Sequence, residues 1–187
     1  MNPYERVMIF VDGSNVFKSI GNLNRDRGTE FRIDYLRLRD NLANGRNLVR
    51  TYYYGSENAL SSDSQRGFIS VLRNSGFEVC LKPLRTYKGD DGREIHVEKG
   101  IDIALATDLV SLAWENAFDT AVIVSGDSDF LEAIRRVKQK GRKVEIAAFS
   151  ASFSSDMKTA GDRTVILDDI LDKIRLDQYL YGGDEKD

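Results

Sequence analysis

Residues 7–15 read VMIFVDGSN, and this stretch decides the fold. Val7, Met8, Ile9, Phe10 and Val11 form an uninterrupted apolar run. A run this short and this continuous suits a strand buried on both faces, as in a parallel sheet covered by helices. Asp12-Gly13-Ser14-Asn15 closes it with turn-forming residues, and a helical pattern follows. The same unit recurs down the chain. Strands are predicted at 48–54, 77–81, 121–124, 144–149 and 165–167. Helical spacing is predicted over 33–43, 62–75, 101–114 and 129–140, with Gly76 and Gly141 as stops. Strand alternating with helix predicts an α/β fold around a mostly parallel sheet.

One segment breaks the alternation. Residues 84–98 read LRTYKGDDGREIHVE, where Asp91-Gly92 between β-compatible residues predicts an inserted β-hairpin. No internal repeat or low-complexity tract divides the chain. One domain is expected over 1–170, followed by a C-terminal extension over 171–187 whose end, YGGDEKD, is expected to be disordered.

Composition removes several function classes. The longest apolar runs fall far short of the ~18–20 residues that span a bilayer. The apolar run at the N-terminus is preceded by Glu5 and Arg6 and is too short for a signal peptide. Cys80 is the single cysteine of the 187 residues, so neither an internal disulfide nor a cysteine-rich zinc site can form. These features lead us to expect a cytoplasmic protein with no membrane attachment. His96 is the single histidine and lies in the predicted hairpin, which leaves little room for Ser-His-Asp or Cys-His chemistry. The net charge of -3 excludes a globally basic nucleic-acid binder but not a local basic patch.

The chemistry that remains is acidic. Sites in open α/β sheets form just beyond the carboxyl ends of the strands. Two strands deliver aspartates there: 7–11 delivers Asp12, and 121–124 delivers Asp127 and Asp129. Asp102 opens the helix at 101–114, after Lys99-Gly100. Each has a plain structural reading beside the functional one. Asp12-Gly13 is a common turn pair, Asp127 or Ser128 can cap a helix, and Asp102 or Asp129 can offset a helix dipole. Asp108, further along its helix, reads as structural. Taken together, carboxylates gathered at one poorly solvated edge must take up protons or bind a cation. Hard oxygen ligands suit Mg²⁺ or Mn²⁺.

The segments IFVDGSNVF (9–17), KGIDIALATDLV (99–110) and AVIVSGDSDFLEAIRRVKQKGRKVEI (121–146) resemble, in this order, the NYN domain family. That family is a branch of the PIN-like nucleases that includes the LabA-like proteins, and the resemblance covers about residues 5–150. It implies a PIN-like three-layer α/β/α sandwich and metal-dependent ribonuclease activity on RNA, single-stranded by expectation. It also implies a site in which Asp12, Asp102, Asp127 and Asp129 are catalytic and ligate Mg²⁺ or Mn²⁺. Asn15 would orient a carboxylate or a water, and Ser125 and Ser128 would contact phosphate or the ion's water shell; Lys99, read from its place beside Asp102, is the candidate for a local phosphate contact. All four acidic positions are kept.

Positive charge must hold the RNA backbone. Besides Lys99, the bases on or beside the hairpin (Lys82, Arg85, Lys88, Arg93) are candidates, with Tyr87 able to stack on a base. Four acidic residues offset them, so a solvated hairpin is the plain alternative. Two rival functions stand. A phosphatase of the haloacid dehalogenase type would carry a second Asp two residues after Asp12, where Ser14 stands. A non-catalytic RNA- or protein-binding regulatory domain, of the LabA-like kind, would keep the aspartates without turnover. A homodimer or a protein partner is compatible with either reading.

Overall fold

The computed structural model describes residues 2–57, 62–83, 85–88, 94–97 and 100–176, with 85–88 and 94–97 as backbone alone. The central sheet contains β1 (Arg6–Asp12), β2 (Asn47–Glu57), β3 (Phe77–Pro83), β6 (Thr120–Val124), β7 (Lys143–Ala148) and β8 (Arg163–Ile166). Its strand order is β3-β2-β1-β6-β7-β8, and every neighbouring pair is parallel. The chain therefore builds outward from β1 in one direction, returns, and builds outward from β6 in the other. β4 (Arg85–Lys88) and β5 (Glu94–Val97) form the antiparallel pair expected of the hairpin insertion.

The alternation of β1 side chains explains the layers. Met8 and Phe10 enter one core with Tyr54, Ile123 and Ile146. Val7, Ile9 and Val11 enter the other with Val122, Val124 and Ala147. Both cores need a cover, which is why the apolar run is unbroken. The first is covered by α4 (Ile101–Trp114), α5 (Leu131–Gln139) and α6 (Ser155–Ala160), through Leu105, Leu109, Ile134, Val137 and Met157. The second is covered by α1 (Gly13–Arg27), α2 (Tyr35–Ala43), α3 (Asp63–Asn74) and α7 (Leu171–Ile174), through Val16, Leu38, Leu42, Leu72 and Ile174. The result is the expected α/β/α sandwich. Crossovers of one hand place helices on one face while the chain moves one way, and on the other face once it reverses.

Several boundaries differ from expectation for local reasons. The helix predicted from 33 starts at Tyr35, because Asp34 caps it by accepting from the amides of Leu36 and Arg37. The helix predicted from 129 is a 3-10 turn, Ser128–Phe130, leading into α5. Residues 171–176 pack onto the sandwich. Ile174 is fully buried, the Asp34 amide donates to its carbonyl, and the Leu176 amide donates to Arg32. The tail expected to be disordered lies outside the described residues.

A buried ion pair ties β7 to the segment between α2 and β2. Arg46 donates twice to Glu145, at 2.8 and 3.0 Å. It also donates to the carbonyls of Ala43 and Leu42, which α2 leaves unpaired at its C-terminus.

Candidate active site

The strand order reverses between β1 and β6, so the crevice for a ligand is expected outside the carboxyl ends of these two strands. Val11 pairs with Val124, which sets Asp12 beside Ser125. Asp12 is 2% exposed and is the N-cap of α1. Its Oδ1 accepts from the Asn15 amide at 3.0 Å, and its Oδ2 accepts from the Ser125 hydroxyl at 2.9 Å. The Ser125 oxygen in turn accepts from the Asp127 amide at 3.2 Å. The Asn15 side chain accepts from the Gly126 amide at 3.3 Å, tying α1 to the loop after β6.

Burial pushes the Asp12 carboxyl above its ordinary value. The two hydrogen bonds oppose this, and the like charges of Asp102 and Asp127 add to it. The structure thus brings three of the predicted aspartates into one electrostatic neighbourhood. Asp102 stands exposed in the first turn of α4, after Gly100 in left-handed conformation. Asp127 is half-buried and caps the 3-10 turn by accepting from the Asp129 amide at 3.0 Å. Asp129 and Ser128 stand exposed on that turn. Lys99 lies outside the described residues. Asp12 and Asp127 therefore do the plain capping work as well as gathering charge. Ser125 is 1% exposed, and its hydroxyl is committed to Asp12.

Two glycines make the site possible. A Cβ on Gly13 would collide with the Tyr53 ring and the Tyr54 carbonyl. A Cβ on Gly126 would collide with the backbone of Ser152 and Phe153, where the segment after β7 crosses the loop. Sequence reasoning read Gly13 as a turn residue and missed both contacts, because both partners are distant in the chain. It also missed Tyr54, whose hydroxyl donates to Asp108 Oδ2 at 2.8 Å and so links β2 to α4. Burial, and then that carboxylate, raise the Tyr54 hydroxyl above its ordinary value.

The NYN domain model matches residues 6–168, nearly the whole packed unit. The chain belongs to the NYN domain family. Among relatives, the low amplitude and bright protein LabA of Synechococcus elongatus is 27% identical over 168 residues, covering 88% of this chain and 85% of its own. An uncharacterized protein of Methanocaldococcus jannaschii is 27% identical over 162 residues, or 86% of this chain. The chain spans about half of that archaeal protein, 54%. A solved structure, a protein of unknown function from Vibrio parahaemolyticus, superposes with a TM-score of 0.72 at 25% identity, covering 94% of this chain and 99% of its own. That likeness supports the sandwich fold from an independent structure. The NYN domain is PIN-like, a nuclease-type domain whose members typically use divalent metals.

Among the described residues, no three Asp, Glu, His or Cys side chains converge into a set that could hold a metal by themselves. The chemistry nevertheless fits an ion of the Mg²⁺ type, which keeps several waters and uses only one or two carboxylates together with substrate phosphates. Asp12 supplies a buried oxygen ligand whose charge is costly without a cation, and Asp102 and Asp127 supply further negative charge. No helix among the described residues is long and apolar enough to cross a membrane.

Proposed function

We propose that this NYN domain is a metal-dependent endoribonuclease that hydrolyses phosphodiester bonds in single-stranded RNA at the β1/β6 crevice. The observation that carries the reading is Asp12. It is a buried carboxylate at the sheet's reversal point, held at both oxygens and pressed by the charges of Asp102 and Asp127.

Asp12 would hold Mg²⁺ or Mn²⁺ directly, with Asp102, Asp127 and Asp129 completing the site directly or through the ion's waters. When bound, such an ion makes water more acidic and offsets charge on the phosphate under attack. The chain's own residues prepare the place. Ser125 and the Asn15 amide each donate to a different oxygen of Asp12, which fixes the carboxylate in one orientation. Each oxygen keeps a further lone pair for a ligand. The Asn15–Gly126 bond holds the two strand-end loops together, so that Asp12 and Asp127 keep their separation. Ser128, exposed on the 3-10 turn, is placed to meet substrate. The Ser125 hydroxyl is committed to Asp12, so water is the attacking group in this scheme.

The test is cleavage of end-labelled single-stranded RNA by purified protein with Mn²⁺, beside the Asp12→Asn and Asp127→Asn variants. The expected result is cleavage by wild type and at least a hundredfold loss in each variant, on the order seen when a key electrostatic group is removed. Equal traces of cleavage in all three would assign the activity to contamination. The domain would then be a non-catalytic regulatory binder.

A further inference from the structure

The acidic crevice cannot hold a polyanion unless positive charge stands close by, and the chain's net charge of -3 supplies no general attraction. A cavity of about 330 Å³ lies along α3, and its lining includes Arg66 and Arg73, Gln65 and Asn74, and Ser56 and Leu81 at the strand ends. Its position follows from register. Asp12 pairs with Tyr54 of β2, and Ser56 lies two residues beyond on the same strand. Leu81 of β3 pairs with Gly55. The groove thus opens on the same carboxyl edge as Asp12, about 10 Å to its side, the width of two strand spacings.

From that edge it follows α3 away from the crevice. Arg66 and Arg73 are seven residues apart, two turns of one helix face, and so about 10 Å apart along the axis. Arg66 pairs with Asp63 at an exposed position, a contact of small energetic value that a phosphate can displace. The exposed Arg73 side chain makes no hydrogen bond or ion pair with another described residue. Dipole compensation at the end of α3 accounts for one arginine there. It does not account for a second arginine two turns earlier in the lining of the same groove.

We propose that this groove is the track of the RNA backbone: Arg66 and Arg73 each hold a phosphate of the strand whose neighbouring segment enters the β1/β6 crevice. The inference rests on the ribonuclease reading and adds the path of the substrate to it. An extended groove with two separated cations fits a chain of phosphates better than it fits one free anion.

The experiment uses the full chain carrying Asp12→Asn, so that RNA is bound and not cut. Binding of a fluorescent single-stranded RNA is read by anisotropy across a salt series. Adding Arg66→Gln and Arg73→Gln is expected to weaken binding about tenfold at moderate salt and to reduce the salt slope by about 1.4, the figure for two phosphate contacts on a single strand. A control pair, Arg25→Gln and Lys140→Gln, removes the same charge from the last turn of α1 and the end of α5, and is expected to leave both quantities unchanged. Inorganic phosphate at equal phosphate concentration should not displace the RNA. Displacement would mark the groove as a site for a free anion and overturn the proposal. If the groove variant binds as its parent does, or the control loses as much, the track is wrong while the ribonuclease reading stands. If the wild type neither binds nor cuts RNA, that reading fails and takes the track with it. Thermal melting of both pairs should match the parent, because all four side chains are exposed.

Discussion

The Ser125 hydroxyl donates to Asp12 Oδ2 at 2.9 Å, joining the ends of two strands whose residues are 113 positions apart. Both side chains are buried, so neither can turn to water if the other is removed. Ser125→Ala should therefore destabilise the fold by about 1–3 kcal/mol, the cost of a buried acceptor left without its donor. It should also raise the Asp12 carboxyl further, since a bond that lowers it is gone. Urea melts of the two single variants and of Ser125→Ala with Asp12→Asn make the check. Additive effects in that cycle would mean that the bond couples nothing.

The raised Asp12 carboxyl has a pH signature. Its folded value lies above the ordinary 3.8 because burial outweighs the hydrogen bonds. The folded state then holds its proton more tightly than the unfolded state does. The stability this contributes is complete below the unfolded value and is lost as pH rises through the folded value. Asp12→Asn removes the group. The variant should gain on wild type as pH rises from about 4 toward 7 in metal-free buffer, by the linkage argument just given. A stability difference that stays flat across that range would show that the carboxyl is not raised.

A cation reverses that balance. Mn²⁺ that binds the folded state alone raises its stability by about 2.7 kcal/mol at a hundred times the dissociation constant. Wild type should therefore melt higher with Mn²⁺, and Asp12→Asn should not. Calorimetry with and without the ion reads this independently of any nuclease assay. An equal upward shift in both proteins would place the ion elsewhere.

How much of this was legible depended on whether the interaction was local. The run Val7–Val11 announced a strand covered on both sides, because each of its residues had to meet one of two cores. The chain-order features followed: the alternation of strands and helices, and the hairpin at 84–98. The aspartates were legible as residues that end strands or open helices. Their mutual placement was not, because it depends on β6 returning to lie beside β1, and no spacing encodes that choice of neighbour. The same limit hid Ser125. SGDSD reads as a turn with phosphate-facing serines until the β1–β6 pairing turns one hydroxyl inward to Asp12. It also hid Gly126, whose need for no side chain comes from a backbone segment 26 residues later.

Gly126→Ala tests that last contact. The added methyl meets the Ser152 carbonyl and the Phe153 Cα, which are backbone and cannot rotate away. Relief requires the loop after β6 to move, which would also strain the Gly126–Asn15 and Ser154–Gly126 bonds. A cost of about 1–3 kcal/mol is expected, as for other overpacked sites. Mn²⁺ stabilisation should weaken with it, because Asp127 rides on the same loop. A variant as stable as wild type, with an unchanged response to Mn²⁺, would show that the crossing is looser than the structure has it.

The Arg46–Glu145 pair separates stability from the site. Arg46 has 2% of its side chain exposed and makes four hydrogen bonds, two of them to Glu145. Glu145→Gln removes the charge and keeps the shape, leaving the guanidinium buried with Glu5 as its nearest remaining acid, at 4.0 Å. Breaking a buried pair from one side costs about 3–5 kcal/mol, because the other charge stays behind. Glu145 lies level with Val122 and Ile9, three residues short of Asp12 along the sheet and two strands to its side. At a temperature where the variant is still folded, its Mn²⁺ affinity should match wild type while its unfolding midpoint in urea falls. A loss below about 0.5 kcal/mol, the scatter of ordinary surface substitutions, would mean that Glu5 and solvent compensate Arg46 fully. A loss of Mn²⁺ affinity without a loss of stability would mean that the pair and the site are coupled.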